Sequence, residues 1–224
     1  KVDSKFRFID PPFLFNAAEV AAYPAEVTGN YLLECLRRRF EWQSFADKKL
    51  LDLGCGVRFA RTICNLGIPF GTYVGVDVKR KAIDWLNANL QDPRFLFKRF
   101  DARNAYYNPK GTSSHGADAL VRLGVPTCDG ASMFSVITHQ SPDEARKTFQ
   151  QLRNAVADHG KLYFTAFTDE SLAGYAERDQ AAPGHMSTYP PQQLIELAES
   201  GGWRVTAIYQ KDSLQQTAFV CVAR

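Results

Sequence analysis

The chain is short of the arrangements that announce whole classes of function. Its five cysteines, at positions 35, 55, 64, 128 and 221, include no Cys-x-x-Cys pair. That removes zinc ribbons and dithiol redox motifs and leaves reduced thiols of a cytosolic protein as the plain reading. Four histidines stand without ligand spacing, so no metal is expected. No stretch approaches the ~18 apolar residues of a membrane helix. Lys1 to Asp10 alternate charged and apolar types without the hydrophobic region of a signal peptide. A soluble, cytoplasmic protein with no membrane partner is the expectation. Charge of one sign is also scarce, because 27 basic and 24 acidic residues leave a net +3 over 224 positions, too little for a polyanion-binding tail. Arg37, Arg38 and Arg39 cluster instead in a helix-like segment, as a solvated face or as a patch steering an anionic substrate or nucleic acid. No internal repeat or low-complexity stretch is visible, and a 45% hydrophobic chain of this length can bury one full sheet core.

What the chain does have is the run Lys49-Leu50-Leu51-Asp52-Leu53-Gly54-Cys55-Gly56, an apolar strand breaking into a two-glycine turn. About one βαβ unit later comes Tyr73-Val74-Gly75-Val76-Asp77. Glycines at such a turn let the backbone bend sharply and approach a ligand that a side chain would obstruct. Asp77, ending the second strand, is placed to accept hydrogen bonds from a ribose diol. A dinucleotide fingerprint wants a third small residue so that helix and pyrophosphate approach closely, and here Val57-Arg58-Phe59 interrupts that spacing. Asp52 would repel a phosphate but receive a cationic amino-acid head group, directly or through water. The ligand this pattern prefers has a ribose and an ammonium, without phosphates.

Asp52-Leu53-Gly54-Cys55-Gly56 resembles the first motif, acidic-x-Gly-x-Gly, of the class I S-adenosylmethionine-dependent methyltransferases. Asp77 matches the family's acidic residue after the second strand, and Phe100-Asp101-Ala102 its acidic turn after the third. The resemblance runs from about Lys48 to the C-terminus. It implies S-adenosylmethionine as cofactor and S-adenosylhomocysteine as product, with Asp101 reading the adenine amino group. Cofactor contacts are then expected at Asp52, Gly54, Cys55, Gly56, Asp77, Val78, Asp101, Ala102, Phe134 and Ser135. The divergent turn leaves Arg58 without an assigned role and keeps a catalytically silent relative open as an alternative. A nicotinamide-dependent oxidoreductase is the other.

Strands are expected at about 49 to 53, 72 to 76, 95 to 100, 131 to 137, 161 to 167, 203 to 209 and 216 to 222. Helical periodicity runs through Val27 or Thr28 to Arg39, Arg80 to Leu90, Asp143 to Val156 and Pro191 to Ser200. The fold class is α/β, a Rossmann-like class I methyltransferase fold. Its mostly parallel seven-stranded sheet carries helices on both faces and an antiparallel edge pair, since no helix separates the last two strands. Residues 1–47 read as an N-terminal helical lid or extension and residues 48–224 as the cofactor-binding catalytic domain. Asp10-Pro11-Pro12 reads as extended, Phe13, Phe15 and Tyr23 as part of a lid. Thr28-Gly29-Asn30-Tyr31 either touches the methionine end of the cofactor or caps its helix. Asp158-His159-Gly160 reads as a turn.

Chemistry belongs beyond the carboxyl ends of the strands. There His139 follows the fourth strand, with an ordinary pKa of about 6.5 that suits a general base, although capping of the Ser141-Pro142 helix start or local packing is an equal reading. Tyr106, Tyr107, Asp169 and His185 fall in the least regular segments and are candidates for the acceptor pocket, the tyrosines either stacking on substrate or anchoring their loop. No Asn-Pro-Pro-Tyr type motif follows the fourth strand, where Ser135-Val136-Ile137-Thr138 stands, which disfavours nucleic-acid and amide N-methylation. The expected activity is methyl transfer to a small-molecule acceptor, oxygen favoured over nitrogen. Acceptor identity and oligomeric state are not specified by these residues.

Overall fold

The computed structural model describes residues 25–112, 116–178, 184–213 and 215–224. At its centre β1 (Phe45–Leu53), β2 (Phe70–Asp77), β3 (Phe95–Arg99), β4 (Cys128–Met133) and β5 (Val156–Thr168) run parallel in the spatial order 3-2-1-4-5. A short antiparallel hairpin of β6 (Ala176–Glu177) and β7 (Ser187–Tyr189) follows, then β8 (Trp203–Ser213) and β9 (Gln216–Ala223). β9 lies antiparallel to both β5 and β8, which is the expected edge pair. Among the described residues the sheet has nine strands where seven are expected. β9 pairs with β5 only as far as Ala166, so the backbone groups of Phe167 and Thr168 find partners in β7 instead.

Helices α1 (Ala25–Arg39), α2 (Arg58–Leu66), α3 (Arg80–Asn89), α4 (Ala119–Arg122), α5 (Pro142–Ala155) and α6 (Pro191–Ser200) flank the sheet. Alternation along β1 sends Leu50 to one face and Leu51 and Leu53 to the other. Leu50 packs with Phe59, Ile63 and Tyr73, whereas Leu51 and Leu53 pack with Phe149, Leu152 and Trp203. α1 belongs to the first of these cores through Leu32, Leu33 and Leu36, with Phe40 just beyond its end, while Tyr31 is 54% exposed. Thr28 and Asn30 lie inside α1 rather than at its cap, because the helix already starts at Ala25. At Gly29 an added Cβ would come within van der Waals overlap of Thr62 Oγ1 in α2, so the glycine permits close packing of the two helices. The expected Asp10, Phe13, Phe15 and Tyr23 segment lies outside the described residues.

Local signals account for the ends that position the site. α5 starts in a capping box in which Glu144 N–H donates to Ser141 Oγ and Ser141 N–H donates to Glu144 Oε2, with Pro142 in the first turn. Ser141 caps with Glu144, so His139 is not needed for that purpose. β4 ends at Met133, short of the expected 137, because Ser135 adopts φ 58 in the left-handed region and cannot continue a strand. The chain then makes a 3-10 turn over Ile137–His139. Asp158-His159-Gly160 lies within β5 as an irregularity in its register with β4, and His159 is exposed. The arginine cluster is tied into the fold: Arg37 pairs with Glu34 and donates to the Trp42 carbonyl, and Arg39 stacks 3.4 Å over the Tyr209 ring.

Candidate functional site

A cavity of about 550 Å³ opens at the carboxyl ends of β1 to β4. Its floor on one side is the glycine turn. Gly54 and Gly56 have φ 77 and 50, and a Cβ on Gly54 would lie 2.5 Å from Val136 Cγ2. Gly54 N–H donates to the Val76 carbonyl at 2.7 Å, holding the turn against β2. Asp77 is buried on the cavity wall, where Oδ2 accepts the Gly56 N–H at 2.9 Å and Oδ1 the Lys79 N–H at 2.8 Å. Each carboxylate oxygen keeps a second acceptor position, as a vicinal diol requires.

Asp52 is not on that wall. Alternation turns it to the Leu50 side of β1, where Tyr73 Oη donates to it at 2.6 Å and Ser132 Oγ at 2.7 Å. Burial pushes its pKa up to about 7, against the opposing effect of those hydrogen bonds. Direct contact between this carboxylate and a ligand head group is therefore replaced by a buried hydrogen-bonded node beneath the turn. Cys55 is buried too, with its thiol held well above the usual range by desolvation, and does not line the cavity. The bulky third position has a structural use: Phe59 meets Phe134 edge-on at 5.3 Å, packing α2 against the chain after β4. Arg58, unassigned from sequence, lines the cavity; desolvation lowers its pKa and the Asp52 charge opposes that shift.

Asp101 also departs from expectation. Arg99 Nη2 donates to its Oδ1 at 2.5 Å and Asn108 Nδ2 at 3.0 Å, and neighbouring Ala102 reaches the cavity in its place. Val78, Phe134 and Ser135 line the cavity as expected positions. Ser135 is constrained at three points, since its N–H donates to Thr165 Oγ1, its Oγ accepts from Gln216 Nε2 and its carbonyl accepts from Thr138 Oγ1.

His139 lines the cavity at the end of the 3-10 turn. Its Nδ1 lies 3.0 Å from the Gly184 carbonyl oxygen, which only accepts, so Nδ1 carries the ring proton and Nε2 is the acceptor in the neutral form. Tyr107 Oη stands 3.4 Å from Nε2. Desolvation lowers the His139 pKa below its ordinary 6.5, against the hydrogen bonds to the Gly184 and His185 backbone. Of the four expected acceptor-pocket residues, Tyr107 lines the cavity. Tyr106 stacks on His185 at 4.7 Å and the two form an aromatic pair outside the lining. Asp169 is exposed and accepts from Ser171 N–H and Oγ, closing the turn after β5 on itself. Among the described residues no group of three His, Cys, Asp or Glu side chains converges as a metal site. Among them too, no helix is long and apolar enough to cross a membrane.

Asn104 and Gly184 lie in the same irregular segments as Tyr106, Tyr107 and His185, and Asn104 and Lys79 line the cavity; of the three, Lys79 alone carried no expectation from sequence. Their importance lies in which distant groups they touch, and residue type alone carries little of that signal. Asn104 before a Tyr-Tyr-Asn-Pro turn is the nearest to a usable one.

A family model described as a methyltransferase domain matches residues 27–208. Among solved structures, the SAM-bound amino pentose methyltransferase of calicheamicin biosynthesis from Micromonospora echinaspora superposes with a TM-score of 0.63 at 13% identity, covering 96% of this chain and 100% of that one. SAM-bound magnesium protoporphyrin IX methyltransferase from Synechocystis gives 0.54 at 12% identity over 89% and 79% of the two chains. The pyocyanin biosynthetic protein PhzM gives 0.57 at 13% identity over 87% of this chain, which spans 55% of that protein's length. At such identities the likeness is one of fold.

Proposed function

The chain belongs to the class I S-adenosylmethionine-dependent methyltransferases, and from that membership we propose that it methylates a hydroxyl of a small-molecule acceptor, with His139 as the base. S-Adenosylmethionine supplies an activated methyl group on a sulfonium. The residues present fit such a donor: a glycine turn without room for a side chain at Gly54 and a buried carboxylate with spare acceptor positions at Asp77. Gly54, Asp77, Val78, Ala102, Phe134 and Ser135 line the cavity and are the residues we assign to hold it, with Gly56 fixing Asp77 through its N–H and Asp52 buried beneath the turn against Tyr73 and Ser132. Proximity and alignment then do most of the work, and a hydroxyl acceptor adds the need to lose a proton.

The observation that carries the reading is His139 on the cavity wall, with its tautomer set by the Gly184 carbonyl so that Nε2 accepts. Its lowered pKa keeps the imidazole neutral at neutral pH. Activity should be flat near pH 7 and fall as pH drops through that pKa, below 6.5, because protonation removes the acceptor. Calorimetric titration with S-adenosylmethionine and S-adenosylhomocysteine is the first test, and failure to bind either would leave a silent member of the family. With a hydroxyl acceptor in hand, His139→Gln should lower kcat by about 100-fold or more while donor affinity stays within a few-fold. Unchanged kcat would remove His139 as base, and faster turnover on amines than on hydroxyls would overturn the choice of oxygen.

A further inference from the structure

Segments far apart in the sequence meet at one imidazole. Asn104 Nδ2 donates to the His139 backbone carbonyl at 2.6 Å, while Asn104 Oδ1 accepts the backbone N–H groups of Tyr106 at 3.2 Å and Tyr107 at 2.8 Å. One amide thus joins the 3-10 turn after β4 to the loop that carries Tyr107. Gly184 closes from the other side at φ 73, where a Cβ would lie 3.3 Å from Ala105 Cβ, and its carbonyl accepts the hydrogen bond of Nδ1–H. Nε2 is left facing Tyr107 Oη at 3.4 Å, with the two rings edge to face at 4.8 Å. At 3.4 Å the contact is long for a hydrogen bond, and contacts within catalytic pairs often tighten only when substrate is bound.

The surroundings suit Tyr107 to exchange one proton for another. Desolvation raises its pKa, so at neutral pH it is an O–H donor. Lys79 Nζ sits 4.2 Å over its ring, a cation that holds the ring in place and favours electron density on it. The other titratable or charged groups near the pair are Tyr106 on the same loop, His185 beside Gly184, and Asp77 across the cavity.

Resting on the assignment of His139 as base, we propose that Tyr107 is a second catalytic residue. Its hydroxyl receives the proton of the acceptor's hydroxyl while passing its own to His139 Nε2, and Asn104 is the positioning residue that keeps the two in register. The acceptor's O–H bond breaks and a new O–H bond forms on Tyr107. The original Tyr107 O–H bond breaks and an N–H bond forms on Nε2. The acceptor oxygen keeps the bonding pair, and the positive charge resides on the imidazolium.

The test compares Tyr107→Phe, Asn104→Ala and His139→Gln in the full chain. Tyr107→Phe should lower kcat by about 30- to 100-fold with acceptor KM within about threefold, and the double variant with His139→Gln should be no slower than His139→Gln alone. By proton NMR of the histidine rings, without acceptor, the His139 titration midpoint should move upward in Tyr107→Phe, because a donor to the neutral ring is lost. Asn104→Ala should show the same upward movement and a kcat loss of about tenfold, with S-adenosylhomocysteine affinity retained. If His139→Gln is slow but Tyr107→Phe keeps both kcat and the titration midpoint, the pair is overturned and His139 stands alone as base. A rise in KM with kcat unchanged in Tyr107→Phe would make Tyr107 a binding surface and overturn the pair as well. If His139→Gln is as fast as the parent, the base assignment itself falls, and the pair with it.

Discussion

The two walls of the cavity are built by different rules. On the β1 and β2 side the contacts that shape the site are made by backbone: Gly54 N–H to the Val76 carbonyl, and the N–H groups of Gly56 and Lys79 to Asp77. On the side facing the chain after β3 and β4, shape comes from side chains on irregular segments, with Asn104, Tyr107 and His139 linked through single hydrogen bonds and closed by Gly184. A wall made of backbone at adjacent strand ends serves one invariant shape, which under the proposed assignment is the donor's. A wall made of loop side chains can be rewritten position by position at little cost to the sheet, which is how one fold comes to serve many acceptors.

The sharpest way to break that contrast is at Asp77. Asp77→Ala leaves two N–H groups without their charged acceptor and removes the diol contact, so S-adenosylhomocysteine affinity measured by calorimetry should fall by about 100-fold or more. A loss below tenfold would mean the donor wall is organised elsewhere. Gly54→Ala comes next. It places a Cβ 2.5 Å from Val136 Cγ2 at φ 77, and the backbone term alone costs about 1–2 kcal/mol. The thermal midpoint should drop by a few degrees, and adding Val136→Ala should recover only the steric part.

Asp52 gives a smaller effect that depends on pH. Its folded-state pKa of about 7 lies above the ordinary 3.8, so the folded chain holds the extra proton between those values. The stability this confers is fully present below 3.8 and is lost as pH rises through 7. Asp52→Asn should flatten that component of the thermal midpoint against pH, and above pH 7 the variant should be at least as stable as the parent. Parent and variant curves that run parallel would show the carboxyl to be ionised in the folded state. The smallest effect is expected from Asp101→Asn, within about threefold on donor affinity, because Arg99 and Asn108 already occupy that carboxylate and it does not line the cavity. A large loss there would bring Asp101 back to the adenine and extend the donor wall onto the loop after β3.

Legibility followed the same division. The parallel strands, the antiparallel end pair and helices α3, α5 and α6 were readable to within a few residues, because apolar periodicity, Pro142 and the Ser141–Glu144 box are local signals. β6 and β7 were not, since strands of two and three residues exist only because the end of β5 needs partners. Motif spacing singled out Gly54 and Asp77, which line the cavity, whereas Gly56, Asp52 and Asp101, from the same motifs, do not line it. A carboxylate's neighbours are set by which face of the strand it leaves and by who else arrives there, as Tyr73 and Ser132 arrive at Asp52 from two other strands.

By itself, then, the sequence determined the sheet, the glycine turn and the carboxylate after β2, because period-two alternation and the absence of a side chain act within a few residues of the chain. Tertiary structure alone decided which acidic residues face the cavity, that Phe59 packs rather than blocks, and that Asn104, Tyr107, His139 and Gly184 stand together. The last of these depends on hydrogen bonds across 32 to 45 residues of chain, whose partners are fixed only when the strands are in register and the loops above them have closed.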